Sequence, residues 1–405
     1  MTEWKPPALL ELTPLNPAFR DDQHGAYDKL RSKCPVHRDD MAGVYMVSRH
    51  RDVRAVLADR TLWRSGEHAE AAAVFARRRI EEGVGRQPSI LFMDDPDHAR
   101  VRQPLAQALY ARVAKFRPDV ERIVEETLAR IDGRDRFDVM TEYAIPIPID
   151  AIAAILGVDH NRLDDFRAWS EGVIQFLNPL RTPDQTVAME AADAALSAYM
   201  NAAMADRRRA PKDDLVTDMV RLQADGAPLS DDEVSINLRA LLVGGNLTTT
   251  DLIGNAVRLF LMLPDQRARL LAEPELIALA VEETLRYEPP IDITGRIANR
   301  DMETGGCPVR NSQEMILMLR GANRDPDAFE DPHRFDITRK GTPHVSFGGG
   351  AHICIGAPLA RLEAQVAILK ILQRFPHLRL ADPDAPPQWR TLPFFHGLER
   401  LDVLT

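Results

Sequence analysis

The chain has 405 residues, 45% hydrophobic and 28% charged, a balance that suits a globular protein with a sizeable core. Its net charge of −10 argues against nucleic acid as a general partner, because phosphate binding needs a basic field. No apolar run approaches the ~18 residues of a membrane span, the N-terminus lacks a signal-peptide pattern, and Cys34, Cys307 and Cys354 are too few for a disulfide framework, so a cytoplasmic setting is expected.

In chain order, residues 1–40 are proline-punctuated around a short helical piece at 26–31. Val44–Val47 reads as a strand and Arg51–Leu57 as a helix. Residues 66–90 pass from alanine-rich helix to Arg77-Arg78-Arg79, a charge run most simply read as a solvated face. Asp95 suits an N-cap and Pro96 the first helical position. His98 and Arg102 follow at i and i+4, so they share a face on which two donors could clamp carboxylates. A chance basic pair on a solvated helix has the same spacing. Helical pattern then dominates 104–230, broken at Pro146, Pro148, Pro179, Pro183, Pro211 and Pro228.

Ser230-Asp231-Asp232-Glu233 forms a capping box that opens a helix running to Pro264, roughly 30 residues and on the order of 50 Å. Its middle carries Gly244, Gly245, Thr248, Thr249 and Thr250, all poor helix formers. Gly244 and Thr248 lie on one face and would let a flat cofactor approach; close helix packing explains the glycines equally well. Thr248 could also bond back to the carbonyl of residue 244 and open the helix locally. Glu283 and Arg286 are an i, i+3 pair, worth only ~0.2–0.5 kcal/mol if exposed. Ile291–Ala298 and Met315–Leu319 alternate like strands, and 383–393 is proline-rich loop ahead of Phe394-Phe395.

Phe347-Gly348-Gly349-Gly350-Ala351-His352-Ile353-Cys354-Ile355-Gly356 combines a glycine turn with one cysteine just ahead of an amphipathic run that has Pro358 in its first turn. Helix-terminal N–H donors favour a thiolate there, and an anionic sulfur in a rigid loop is a good axial ligand for haem iron. A lone cysteine is more often a small buried hydrophobe. The absence of any C-x-x-C excludes covalent c-type haem attachment and the usual zinc spacing.

The whole string resembles the cysteine-ligand loop of the cytochrome P-450 family, with its phenylalanine, glycines, basic residue two before the cysteine and glycine two after. The resemblance covers roughly residues 40–405 and implies a mostly α fold with a small β-rich lobe, haem being buried between the long central helix and the cysteine loop. It implies one domain over 1–405, with β-rich pieces at about 40–65, 291–320 and 385–405. By that resemblance Cys354 ligates the iron of haem b, and Phe347, Gly348, Gly356 and Gly244 contact the cofactor. His98, Arg102, Arg296 and His352 bind its propionates. Thr248 looks like the threonine that holds dioxygen, but the residue before it, usually acidic, is Leu247. The expected proton route therefore uses water ordered by Thr248 and Asn246. Glu283, Arg286 and Arg334 match a buried network beneath the haem, and Val243, Ile291, Ile293, Thr294 and Phe395 are the expected substrate pocket. The implied activity is monooxygenation of a small, mostly apolar organic substrate by O2 in a soluble bacterial-type monomer. A ferredoxin-type partner with its reductase supplies electrons, docking on a face near Arg112, Lys115 and Arg361. Peroxide-driven or rearranging haem-thiolate chemistry, or a non-catalytic haem protein, are the rival readings. Arg77–Arg79 would lie over the pocket, where they could favour an acidic substrate.

Overall fold

The computed structural model describes residues 4–74, 76 and 89–405. The Arg77–Arg79 patch lies outside the described residues. Val36–Asp39 (β1) and Val44–Val47 (β2) form an antiparallel hairpin. Ile293–Ile297 (β3) and Glu314–Met318 (β4) complete a four-stranded sheet in the order β1-β2-β4-β3, β4 running parallel to β2 and antiparallel to β3. The expected strands at 44–47, 291–298 and 315–319 are thus the ones that pair. The segment 50–58 inside the expected β-rich stretch is helical, because His50–Ala58 buries Val53, Val56 and Leu57 with helical spacing. A strand that periodicity did not reveal, Arg136–Asp138, pairs with Asp402–Leu404, which also pairs with Arg379–Leu380. At three residues it is too short to show a period.

Most of the apolar core is helical. Its axis is the helix Asp231–Met262, 32 residues long and therefore about 48 Å, capped by the Ser230–Glu233 box. Twenty-two of its residues are buried, which explains how a helix survives with two adjacent glycines and three threonines at its centre: packing supplies what propensity withholds. Thr248 Oγ1 donates to Gly244 O at 2.9 Å as expected, yet the helix stays α-helical throughout. The 97–113 helix begins at Asp97 with Pro96 as its N-cap, one residue later than expected; Asp95 Oδ1 instead accepts from the N–H of Ala99.

Under the core lies the Glu283–Arg286 pair, both side chains fully buried and joined by two bonds of 2.7 and 2.8 Å. Arg286 also donates to the carbonyls of Asn323, Pro332 and Arg334. Here the structure corrects the expected triad. The Arg334 side chain is 65% exposed and pairs with Asp336, contributing only its carbonyl. The second cation on Glu283 is Arg339, 3.3 Å away. The network reaches the cysteine loop through Asn323, which accepts from Val345 N and donates to Ser346 Oγ. Removing one partner of such a buried pair strands the other, so Arg286→Leu is expected to lose about 3–5 kcal/mol in urea unfolding of the haem-loaded protein. Arg334→Ala should stay within about 0.5 kcal/mol of the parent in the same measurement.

Candidate functional site

One cavity of about 430 Å³ lies between the long helix, the sheet and the cysteine loop. The long helix lines it with Ala240, Leu241, Gly244, Gly245, Thr248, Thr249 and Leu252, a stripe generated by 3.6 residues per turn. A Cβ on Gly244 would meet nothing within 4 Å, so this position faces open space. Opposite stands the cysteine loop. Gly348 and Gly350 have φ of +68° and +66°, and a Cβ on Gly350 would meet Leu57 O at 2.1 Å, so this turn requires glycine. Cys354 N donates to Phe347 O at 2.9 Å, closing the loop.

Cys354 is exposed only into the cavity and is otherwise packed among protein atoms. Burial pushes its thiol up, opposed by the N–H groups of Gly356 and Ala357 and by the charges of Arg102 and Arg361. The expected preference for thiolate is therefore outweighed in the protein alone, because desolvation exceeds what two N–H donors return. A cation bonded to the sulfur would reverse that balance.

Along one edge of the cavity runs a rim of nitrogen donors, its charge carried by arginines. Arg64, Arg102 and His352 line it, and His98 and Arg296 stand directly behind. The His98 and His352 rings are 4.1 Å apart. Arg102 donates to Ile353 O, and Arg296 to Gly295 O and Gly349 O at 2.8 and 3.2 Å. Burial, with Arg64, His98, Arg296 and Arg102 nearby, lowers His352 to about 2, and burial lowers Arg296 to about 10. His98 Nε2 is buried with no hydrogen-bond partner. Donors this crowded and this desolvated fit a doubly anionic edge of a flat ligand.

A cavity with a sulfur on one wall, a glycine-notched helix opposite it and arginines at its rim has the donors that a haem would need. The family description "Cytochrome P450" matches residues 21–392. The chain belongs to the cytochrome P450 family. Cytochrome P450 107B1 of Saccharopolyspora erythraea is 38% identical over 412 residues, covering 100% of this chain and 99% of that protein. Nocardicin C N-oxygenase of Nocardia uniformis subsp. tsuyamanensis is 37% identical over 379 residues, covering 91% and 92%. The solved structure of P450BioI in complex with an acyl carrier protein ligated to hexadec-9Z-enoic acid superposes with a TM-score of 0.86 at 32% identity, covering 96% of this chain and 99% of that one. This P-450 is accordingly an oxidoreductase with a haem-thiolate cofactor, and no helix among the described residues is long and apolar enough to cross a membrane.

Of the residues expected in the site, Cys354, Phe347, Gly348, Gly356, His352, Arg102, Gly244, Thr248, Ile291, Ile293, Thr294 and Phe395 line the cavity. Two do not. Asn246 sits about 200° around the helix from Thr248 and lines a separate small cleft with Leu247, Thr250 and Arg390. Val243 is likewise turned into the helical core. Of the expected docking cations, Arg112 is paired with Asp218 and Asp213, and Arg361 is held by two bonds to Glu282 while stacking on Phe347. Arg64 was missed. It follows Trp63 in a loop with no periodicity, and its guanidinium is held at the cavity by Gly295 O of β3 at 2.7 Å and by Leu91 O at 3.2 Å.

Asp251, one turn beyond Leu247, is fully buried outside the cavity, 3.3 Å from Arg390 and against Gly397. Burial pushes its carboxyl up to about 7, opposed by Arg390. Because the folded pKa is raised, the folded chain holds this proton where the unfolded chain has released it. The resulting destabilisation is absent below about pH 4, grows through neutrality and is complete above about pH 7. Asp251→Asn should therefore gain stability over the parent as pH rises from 4 to 8, by up to about 4 kcal/mol, in urea midpoints measured across that range.

Proposed function

We propose that this P-450 is a monooxygenase that inserts one atom of O2 into a small, mostly apolar organic substrate, with haem b as cofactor and a ferredoxin-type protein and its reductase as electron source. The observation that carries this reading is the alignment of three features on one cavity: the Cys354 sulfur, the Gly244–Thr248 face opposite it and the cationic rim. Cys354 would hold the iron, and His98, Arg102, Arg296 and His352, with Arg64, would hold the propionates. When bound, the haem supplies activation of O2 by an iron whose thiolate ligand favours O–O cleavage.

The chain's own residues set the conditions for that chemistry. N–H groups of Gly356 and Ala357 temper the charge on Cys354 Sγ. Thr248 Oγ1 gives its proton to Gly244 O, leaving the hydroxyl oxygen able to accept from a water or substrate donor in the cavity. Leu241, Ile291, Ile293, Phe176, Leu177 and Phe395 exclude bulk water and support an apolar substrate. The names of two relatives, nocardicin C N-oxygenase and vitamin D(3) 25-hydroxylase, support oxygen insertion without naming a substrate here.

Leu247 favours a second reading, in which peroxide replaces O2 and external electrons, because no carboxylate precedes Thr248. Turnover with hydrogen peroxide compared against turnover with a reductase–ferredoxin chain separates the two. Under the first reading the ferredoxin chain supports faster product formation; faster turnover with peroxide alone would replace it. With the ferredoxin chain, Thr248→Ala should keep consuming nicotinamide while yielding several-fold less oxygenated product per equivalent. Asn246→Ala, on the far side of the helix, should leave that ratio unchanged.

A further inference from the structure

Cys34 and Cys307 take no part in the haem site, yet the fold brings their side chains together. Cys34 ends the helix Gln23–Lys33, its N–H donating to Leu30 O at 2.9 Å. Cys307 opens the second strand of the hairpin Met302–Thr304/Cys307–Val309. At the tip of that hairpin Gly305 has a φ of +57°, and a Cβ there would meet Val36 Cγ2 at 2.7 Å. This close approach sets Cys307 over β1. Both sulfurs then point at one acceptor, Val36 O, at 3.7 Å from Cys34 Sγ and 3.8 Å from Cys307 Sγ. A third group joins them: His37 Nδ1 lies 3.8 Å from Cys34 Sγ. Both thiols are only part-buried, so a small molecule can reach them.

We propose that Cys34 and Cys307 are a redox-active dithiol that closes to an intramolecular disulfide, tying the end of the first long helix to the 302–309 hairpin. The oxidant is a low-molecular-weight disulfide such as glutathione disulfide. His37 accepts the Cys34 proton, and Cys34 Sγ attacks one sulfur of the oxidant, expelling a glutathione thiolate that takes up a proton. Cys307 Sγ, its proton passing to solvent, then attacks the Cys34 sulfur of the mixed disulfide and expels the second glutathione. Two cysteine sulfurs lose two electrons and the oxidant gains them, giving one protein disulfide and two thiols. Burial together with the neighbouring Cys307 raises the Cys34 thiol, and burial lowers His37, so both shifts oppose this proton transfer. The first exchange is therefore slow. The second, between groups already held together, is fast, so the mixed disulfide does not accumulate.

The test is incubation of the haem-loaded protein with glutathione disulfide, the visible haem spectrum reporting that the fold and the site of Cys354 stay intact. Expected are an intact mass lower by two hydrogens, a Cys34–Cys307 cross-linked peptide pair in a non-reducing digest, and a Tm raised by about 5 °C that dithiothreitol reverses. Cys34→Ser and Cys307→Ser should each instead keep one glutathione as a stable adduct, with no gain in Tm. The proposal is overturned if the parent protein carries lasting glutathione on either sulfur, or if neither sulfur reacts while the haem spectrum is native.

Discussion

Holding a sulfur that must become an anion at the floor of a dry cavity is the constraint on which the remainder of this structure depends. Desolvation works against the charge, and in the protein alone it wins: burial raises the Cys354 thiol against Gly356 N–H, Ala357 N–H and two arginines. The sulfur therefore needs a cation bonded to it, and the loop must hold its position before that cation arrives. That demand accounts for the rigidity beneath it. Gly350 leaves no room for a Cβ against Leu57 O, and the Phe347 carbonyl takes the Cys354 N–H. Asn323 carries the buried Glu283–Arg286 network into the loop at Val345 and Ser346.

The rim obeys the same logic with the opposite sign. Burial, and after it the nearby Arg64, His98, Arg296 and Arg102, lowers His352 to about 2 and so keeps it neutral, while burial lowers Arg296 to about 10. A dianionic edge relieves both the desolvation and the mutual repulsion, so binding the cofactor and completing the fold are thermodynamically linked. In the reading proposed above, Cys354 would hold the iron of the cofactor, and the rim of Arg64, Arg102 and His352 would hold its anionic edge.

Much of this was legible from residue types at fixed spacing. The glycine–cysteine string, the 231–262 helix with its capping box and the i, i+4 pair His98/Arg102 are local patterns, and local patterns survive folding. What escaped depended on contacts made across the chain. Arg339 rather than Arg334 faces Glu283, because the turn at 331–336 sends the nearer arginine outward while its carbonyl points in. Arg64 is held at the cavity partly by a carbonyl on β3, 231 residues away. Asn246 was placed by its nearness to Thr248 in sequence, whereas helical rotation puts two residues of separation nearly on opposite faces.

That rotation also bears on proton supply. Positions 240, 241, 244, 245, 248, 249 and 252 are the ones the long helix gives to the cavity, and their only side-chain oxygens are the hydroxyls of Thr248 and Thr249. The acid that would sit at 247 is absent, and Asp251, one turn along, is set against Gly397 and Arg390 outside the cavity. Position 247 itself faces the separate cleft with Asn246, and Asp251, four residues on, lies on that same side about 6 Å further along the axis. The central stretch of the helix thus offers exchangeable protons held by neutral groups and carries no fixed charge over the cavity. In the proposed reading, protons from this helix would therefore have to pass by hydroxyl and water, and a substrate that displaces or retains that water would affect their supply.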